Sequence, residues 1–146
     1  IPIIKRYNKE IWCDIHDYDG NNEYHNEFIE SADYIFMSSE LMNDYRSFME
    51  NLIRKGKKLV VCTHGKDGAS AIDKKGNYYL QAIIKDYKMI DTNGAGDAFF
   101  SGFLYAFDKN YDIDKCLKFG TVAGGLCINS EKLFNNELFK GLFLFI

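Results

Sequence analysis

The residues best suited to chemistry lie in one run, Asp91-Thr92-Asn93-Gly94-Ala95-Gly96-Asp97-Ala98-Phe99-Phe100-Ser101-Gly102. Two glycines flank a small alanine just before an apolar stretch, Ala98 to Phe107, whose spacing predicts a helix. Backbone N–H groups are unpaired at a helix N-terminus, and the helix dipole favours negative charge there. Glycine lets a phosphate approach that backbone closely. The amides of Gly94, Ala95 and Gly96 therefore form a candidate anion hole, with Asp97 in the first helical turn. A carboxylate beside a phosphate site suits general-base work. It would take the proton from a hydroxyl attacking a γ-phosphoryl group, while the amides stabilise charge spreading over the phosphoryl oxygens. The bland reading is a glycine turn with an acidic residue in the first turn. Neither standard nucleotide signature is present: there is no GxxxxGK[ST], and Phe99 stands where GxGxxG needs its third glycine.

Three other segments carry weaker signals. Val60-Val61-Cys62-Thr63-His64-Gly65-Lys66-Asp67-Gly68-Ala69 is a strand end running into a glycine-rich turn, a place where backbone amides can face an anion. Phe119 to Cys127 is a helical stretch with small residues at 123–125, which admit either a flat ring or close packing against the sheet. Asp33 to Glu40 is a strand ending in Ser38, Ser39 and Glu40. Glu40 either reaches a magnesium ion through water or, with Ser39, starts the next helix. The cluster Asp14, His16, Asp17 and Asp19 reads as a polar strand end rather than a metal site, with alternation placing Asp14 and His16 on one face. Cys13, Cys62, Cys116 and Cys127 make no CxxC pair, which argues against zinc; Cys13 and Cys62 read as buried strand thiols, and His25 as a surface residue.

The run from Asp91 to Phe99 resembles the DTxGAGDxF signature of the PfkB-type, ribokinase-like sugar and nucleoside kinases, and it matches every fixed position. The resemblance implies that Asp97 is the catalytic base, that Gly94, Ala95 and Gly96 form the anion hole, and that Asp91 and Asn93 hold a monovalent cation such as K+. The segment from Val60 to Ala69 is similar to the family's VxTxGxxGA loop, which assigns Thr63, Gly65 and Gly68 to the nucleotide phosphates. Phe119 to Cys127 resembles the helix beside the adenine, which brings in Ala123, Gly124 and Cys127. Asp33 to Glu40 lies where the family commonly has NxxE. The Asn is missing here, leaving Ser38 for the nucleotide and Glu40 for Mg2+ through water. Tyr18 stands where the sugar-acid kinases carry the Arg of D-x-N-x-R, which counts against a sugar-acid substrate. The implied activity is ATP-dependent phosphoryl transfer to a hydroxyl of a small sugar. The alternatives are a nucleoside substrate, or a truncated nucleotide-binding module without kinase activity.

The elements that must position these residues follow from the hydrophobic pattern. Strands are expected at Ile11–Ile15, Tyr34–Met37 and Lys58–Thr63, with a β-hairpin of Gly68–Asp73 and Asn77–Leu80 and a further strand within Ile83–Ile90. Helices are expected near 23–31, from Ser39 to Lys55 with Gly56 as its stop, from Ala98 to Phe107, and from Ile113 to Ile128; Phe134 onward is weakly patterned. Alternating strands and helices predict an α/β fold, a mostly parallel sheet flanked by helices on both faces with the hairpin as an insertion.

Composition narrows the function class. At −3 the net charge supplies no basic surface for nucleic acid. No run of eighteen apolar residues offers a membrane span, and free thiols on buried strands fit a reducing cytoplasm. The start, Ile1-Pro2-Ile3-Ile4-Lys5-Arg6, is neither an initiator methionine nor a signal peptide. The whole of 1–146 is thus expected to be the C-terminal, ATP-binding part of a ribokinase-like domain, lacking the N-terminal half and its lid. An open sheet without its partners exposes edges and apolar faces, so such a piece calls for a longer polypeptide or a partner chain, a homodimer among the options.

Overall fold

The computed structural model describes residues 2–84 and 88–130. After a single helical turn, α1 (Pro2–Lys5), come β1 (Trp12–Asp14), a 3-10 turn at Glu23–His25, α2 (Asn26–Ser31), β2 (Tyr34–Ser38), α3 (Tyr45–Arg54) and β3 (Leu59–Thr63). A second 3-10 turn, Gly65–Asp67, leads to β4 (Ala69–Asp73) and β5 (Tyr78–Gln81), and two long helices follow, α4 (Ala95–Asp108) and α5 (Ile113–Ile128). The five strands form one sheet in chain order. β1, β2 and β3 are parallel, with Trp12 opposite Tyr34 and Tyr34 opposite Leu59. The links from β3 to β4 and from β4 to β5 are too short for a crossover, which takes a dozen or more residues, so the hairpin runs antiparallel.

The chain forms two compact units, one of residues up to Gly65 together with Ser70–Tyr78, the other of Lys66–Ala69 and the residues from Tyr79 onward. The first unit is built on near-continuous apolar strands, as parallel strands covered on both faces require. Its core joins Ile15, Ile35, Met37, Val60, Cys62 and Ile72 to Met49 and Leu52 of α3. Gly56 ends α3 at φ +94°, its N–H donating to Ile53 O. Lys57 then turns inward, and its ammonium donates to Glu30 O and Ala32 O at the end of α2, where the dipole is negative. In the second unit Asp112 caps α5 by accepting the Lys115 N–H at 2.8 Å.

Four expectations change. The helix expected from Ser39 begins only at Tyr45, because residues 39–44 are turns in which Ser38 and Ser39 spend their hydroxyls on neighbouring strands and loops. No strand forms within 82–84 or 88–90; residues 85–87 lie outside the described residues, as does the segment from Phe134 onward. Cys13 is only half-buried, being on the edge strand β1, whereas Cys62 is fully buried. His25 is half-buried rather than a surface residue, its ring against Tyr18 and Tyr24.

Candidate active site

The glycine run forms the start of α4. Gly94 is its N-cap, at φ +76°, the left-handed conformation that glycine adopts without a Cβ penalty. The Ala95 N–H donates to Thr92 O at 3.2 Å and the Ala98 N–H to Gly94 O at 2.9 Å. Among the described residues the N–H groups of Gly94, Gly96 and Asp97 have no such partner. The free donors are therefore 94, 96 and 97, and Ala95 drops out of the expected anion hole because the turn uses its amide. Asp97 lies in the first turn with its side chain exposed, and its carbonyl accepts the Ser101 hydroxyl one turn on. Gly96 is exposed, and a Cβ added there would meet nothing within 4 Å.

The approach to α4 is tied to the end of α5. The N–H groups of Ile90 and Asp91 both donate to Ile128 O, and the Cys127 thiol to Asn93 O. Asp91 Oδ1 accepts the Asn93 N–H at 2.9 Å, closing a local turn. Burial first, and then the negative charges of Asp91 and Asp97, push the Cys127 thiol up. The small residues of α5 have a packing cause. Ala123 is fully buried, and a Cβ on Gly102 of α4 would come within 2.7 Å of the Ala123 Cβ. A Cβ on Gly124 would lie 3.3 Å from Ala95 O, and one on Gly120 2.9 Å from the Phe99 ring. Gly120 and Ala123 are thus buried against α4, while Gly124, close to Ala95 O, is only half-buried. Buried Cys127 faces the 91–94 turn in the same way.

In the first unit, the ends of β2 and β3 converge. Ser39 N and Ser39 Oγ both donate to Thr63 O, and Thr63 Oγ1 donates to Met37 O. Ser38 Oγ accepts the Glu40 N–H at 3.1 Å, leaving the Glu40 side chain exposed. Gly65 is exposed at φ +55°. In the second unit Gly68 is buried at φ +93°, and a Cβ there would run into the backbone of Gln81. That glycine is required by the close passage of the chain at β5, whatever else it serves. The sequence reading missed the group at the centre of this region. The His64 ring sits 2.9 Å from Ser39 Oγ through Nδ1 and 2.8 Å from Ser70 Oγ through Nε2. Its neighbour Thr63 belongs to the phosphate-loop pattern, and that was the only available signal.

Asp14, His16, Asp17 and Asp19 do not act as one set. Asp14 Oδ1 accepts the His16 N–H, and the His16 ring lies 3.9 Å from Asp14 Oδ2, so the two side chains do come together, through a turn past the strand at φ +50° rather than through strand alternation. Asp19 binds the amides of Asn21 and Asn22, which hold its carboxyl below the usual range. Tyr18 is buried against Phe48 and His25. No described helix is long and apolar enough to cross a membrane.

A sheet whose first three strands are parallel, with helices between them and two long helices after it, places the chain in the α/β class. The model of the pfkB family carbohydrate kinases matches residues 26–137, and the chain belongs to that family. It is 33% identical over 114 residues to the acarbose 7(IV)-phosphotransferase of an Actinoplanes species, an alignment covering 76% of this chain and 38% of that protein. A microbiome-derived acarbose kinase of known structure superposes with TM-score 0.83 at 25% identity, over 97% of this chain and 51% of the other. Arabidopsis thaliana ribokinase, solved with ribose and ATP, superposes with TM-score 0.79 at 20% identity over 99% and 49% of the two chains, and so speaks to the fold alone. The ribokinase-like fold expected from the sequence is borne out. The chain spans about half the length of these solved relatives and 38% of the curated one.

Proposed function

We propose that the chain is the C-terminal, ATP-binding part of a phosphotransferase that moves the γ-phosphoryl group of ATP to a hydroxyl of a small sugar. The observation that carries this reading is the start of α4, where three unpartnered amides at Gly94, Gly96 and Asp97 stand beside an exposed carboxylate. The likeness to an acarbose phosphotransferase supports a sugar as acceptor. Asp97 takes the proton as the sugar O–H bond breaks and the new O–P bond forms. The bond from the γ-phosphorus to its bridging oxygen then breaks, and ADP leaves with that electron pair. The amides stabilise charge on the transferring group and gain most as that charge spreads. The family resemblance adds Thr63, Gly65, Gly68 and Ser38 as candidates for the nucleotide.

Among the described residues no three His, Cys, Asp or Glu side chains gather to hold a metal. A single exposed carboxylate at Glu40 fits magnesium, which keeps several waters and takes phosphate oxygens as ligands. Glu40 would hold the ion through water, and the ion supplies neutralisation of phosphate charge. Asp91 and Asn93 fit a monovalent cation less well, since Asp91 Oδ1 already accepts an amide. A cytoplasmic setting is supported by the free thiols of Cys62, Cys116 and Cys127, all buried.

The second reading is a nucleotide-binding module without turnover. Calorimetry with a non-hydrolysable ATP analogue and an ADP-release assay against a panel of sugars separate the two. Binding with sugar-dependent ADP release supports the kinase. Binding without release, whatever the sugar, selects the module, and no binding removes both. Where turnover is seen, Asp97→Asn should lower kcat by roughly a hundredfold or more while leaving ATP affinity nearly intact. Unchanged turnover would sink the base assignment.

A further inference from the structure

We infer that His64 is a positioning residue that staples the phosphate loop through two hydroxyls, the buried one of Ser70 and the half-buried one of Ser39. The inference rests on the kinase reading above. The segment between β3 and β4 leaves the sheet after Thr63 and re-enters it at Ala69, and it holds two of the three residues given to the nucleotide phosphates, Gly65 and Gly68. Its two glycines have positive φ, and its only regular structure is the short 3-10 turn Gly65–Asp67. The His64 ring bridges its two ends. Nε2 reaches Ser70 Oγ at 2.8 Å on β4, six residues on, and Nδ1 reaches Ser39 Oγ at 2.9 Å after β2. The ring also lies against Tyr45 of α3, centroids 4.5 Å apart, with Cys62 Sγ 3.9 Å from Nδ1.

The chemistry of the ring suits this task. Imidazole carries two nitrogens on different edges of a rigid ring, so one side chain holds the hydroxyl of Ser39, just past β2, and that of Ser70 on β4 in register. Each hydroxyl has an acceptor of its own, Thr63 O at 3.2 Å for Ser39 and Met49 Sδ at 3.9 Å for Ser70. Either hydroxyl can therefore accept from the ring and pass its proton outward. Ser70 is fully buried, and besides the ring its hydroxyl meets the Met49 thioether, a weak acceptor. Such a hydroxyl is costly to orphan, so the staple has a definite closed state. Ser39 Oγ also bonds Thr63 O, so the same ring fixes the carbonyl of the first residue assigned to phosphate. A loop held this way meets the triphosphate without first losing conformational freedom, and that saving appears as affinity.

The test is ATP-analogue affinity by calorimetry on the chain and on His64→Ala, Ser70→Ala, Ser39→Ala and Ser39→Thr, each shown folded at the assay temperature by its melting curve. His64→Ala, Ser70→Ala and Ser39→Ala should each raise Kd about fivefold, the size of one lost hydrogen bond. Ser39→Thr keeps the hydroxyl and should restore the parent Kd, which a general loss of packing would not predict. The His64→Ala/Ser70→Ala pair should bind no more weakly than His64→Ala alone, since the two remove one interaction. If His64→Ala does not fold, the Ser39 pair and Ser70→Ala decide the matter. Folded variants with the parent Kd, or strictly additive effects in the double variant, overturn the staple while leaving the kinase reading standing. A parent chain that binds no ATP analogue overturns both.

Discussion

Cys62 sits two residues before His64 on β3, fully buried, and its burial pushes the thiol from the ordinary 9.0 to about 12, against a smaller lowering by Ser39. A thiol protonated in the fold and ionised in the unfolded chain makes stability depend on pH in one direction. Below pH 9 both states hold the proton and the group contributes its full share. Between 9 and about 12 the unfolded chain loses it and the fold does not, so stability falls as pH rises. Cys116 behaves alike, raised to about 12 by burial and then by Asp112. The expected outcome is specific. Cys62→Ala removes packing atoms and should lower the melting midpoint at pH 7, by an amount on the order of 1 kcal/mol of stability. The gap to the parent should narrow as pH climbs from 9 to 11, because only the parent carries the ionisation cost. Thermal melts of both proteins across that range check it, and a gap independent of pH would show that the thiol is not held neutral.

At the scale of elements, the α4–α5 pair makes three glycines of similar sequence context behave differently. Gly102→Ala would put a Cβ 2.7 Å from Ala123 Cβ and 2.8 Å from Phe119 O, so backbone must shift. Overpacking of this kind costs about 1–3 kcal/mol, while alanine's better helix propensity returns about 1 kcal/mol. Gly102→Ala should therefore lower the melting midpoint or leave it level, never raise it. Gly120→Ala meets only the Phe99 ring, at 2.9 Å, and should do less damage because a side chain can turn aside. Gly96→Ala meets nothing and should hold or raise the midpoint, yet weaken ATP binding by crowding the amides proposed for phosphate. Thermal melts with calorimetry on the three variants separate a packing glycine from a ligand glycine. The sequence could not make that distinction. Its apolar patterns located the five strands that form and both ends of α5, because periodicity is a local signal, but they also offered a strand within 83–90 that does not form at 82–84 or 88–90. It left 119–127 open between adenine and close packing on the sheet, because nothing local reveals that Gly102 and Phe99 of α4 pack against Ala123 and Gly120. It extended α3 back to Ser39 because Leu41 and Met42 keep helical spacing, although Leu41 is exposed and the Ser39 hydroxyl is committed to Thr63 and His64, more than twenty residues away. The His64 group was hidden for the same reason: Ser39, just past β2, lies 25 residues before the histidine, and Ser70 lies on β4.

For the molecule as a whole, the residues legible as a site all belong to the nucleotide's side of the proposed reaction. Asp97 with its amides, the Thr63 loop and Glu40 account for phosphate and proton, whereas no described residue has been assigned to a sugar. Tyr18, at the one position where the resemblance bears on substrate choice, is buried against Phe48 and His25. This division predicts how ligands act on the stability of residues 1–146. A ligand that binds only the folded chain raises its stability by RT ln(1 + [L]/Kd), about 2.7 kcal/mol at a hundredfold excess over Kd. A non-hydrolysable ATP analogue with magnesium should therefore raise the melting midpoint progressively with the logarithm of its concentration. Ribose, fructose or acarbose alone should leave it unmoved at any concentration below those that act as general osmolytes. Asp97→Asn should keep the nucleotide shift, because that side chain is assigned to the acceptor's proton, and Gly96→Ala should shrink it. A scanning-fluorimetry titration of the parent and both variants reads all of these together. A sugar-induced shift without nucleotide would mean that acceptor contacts lie within these 146 residues after all.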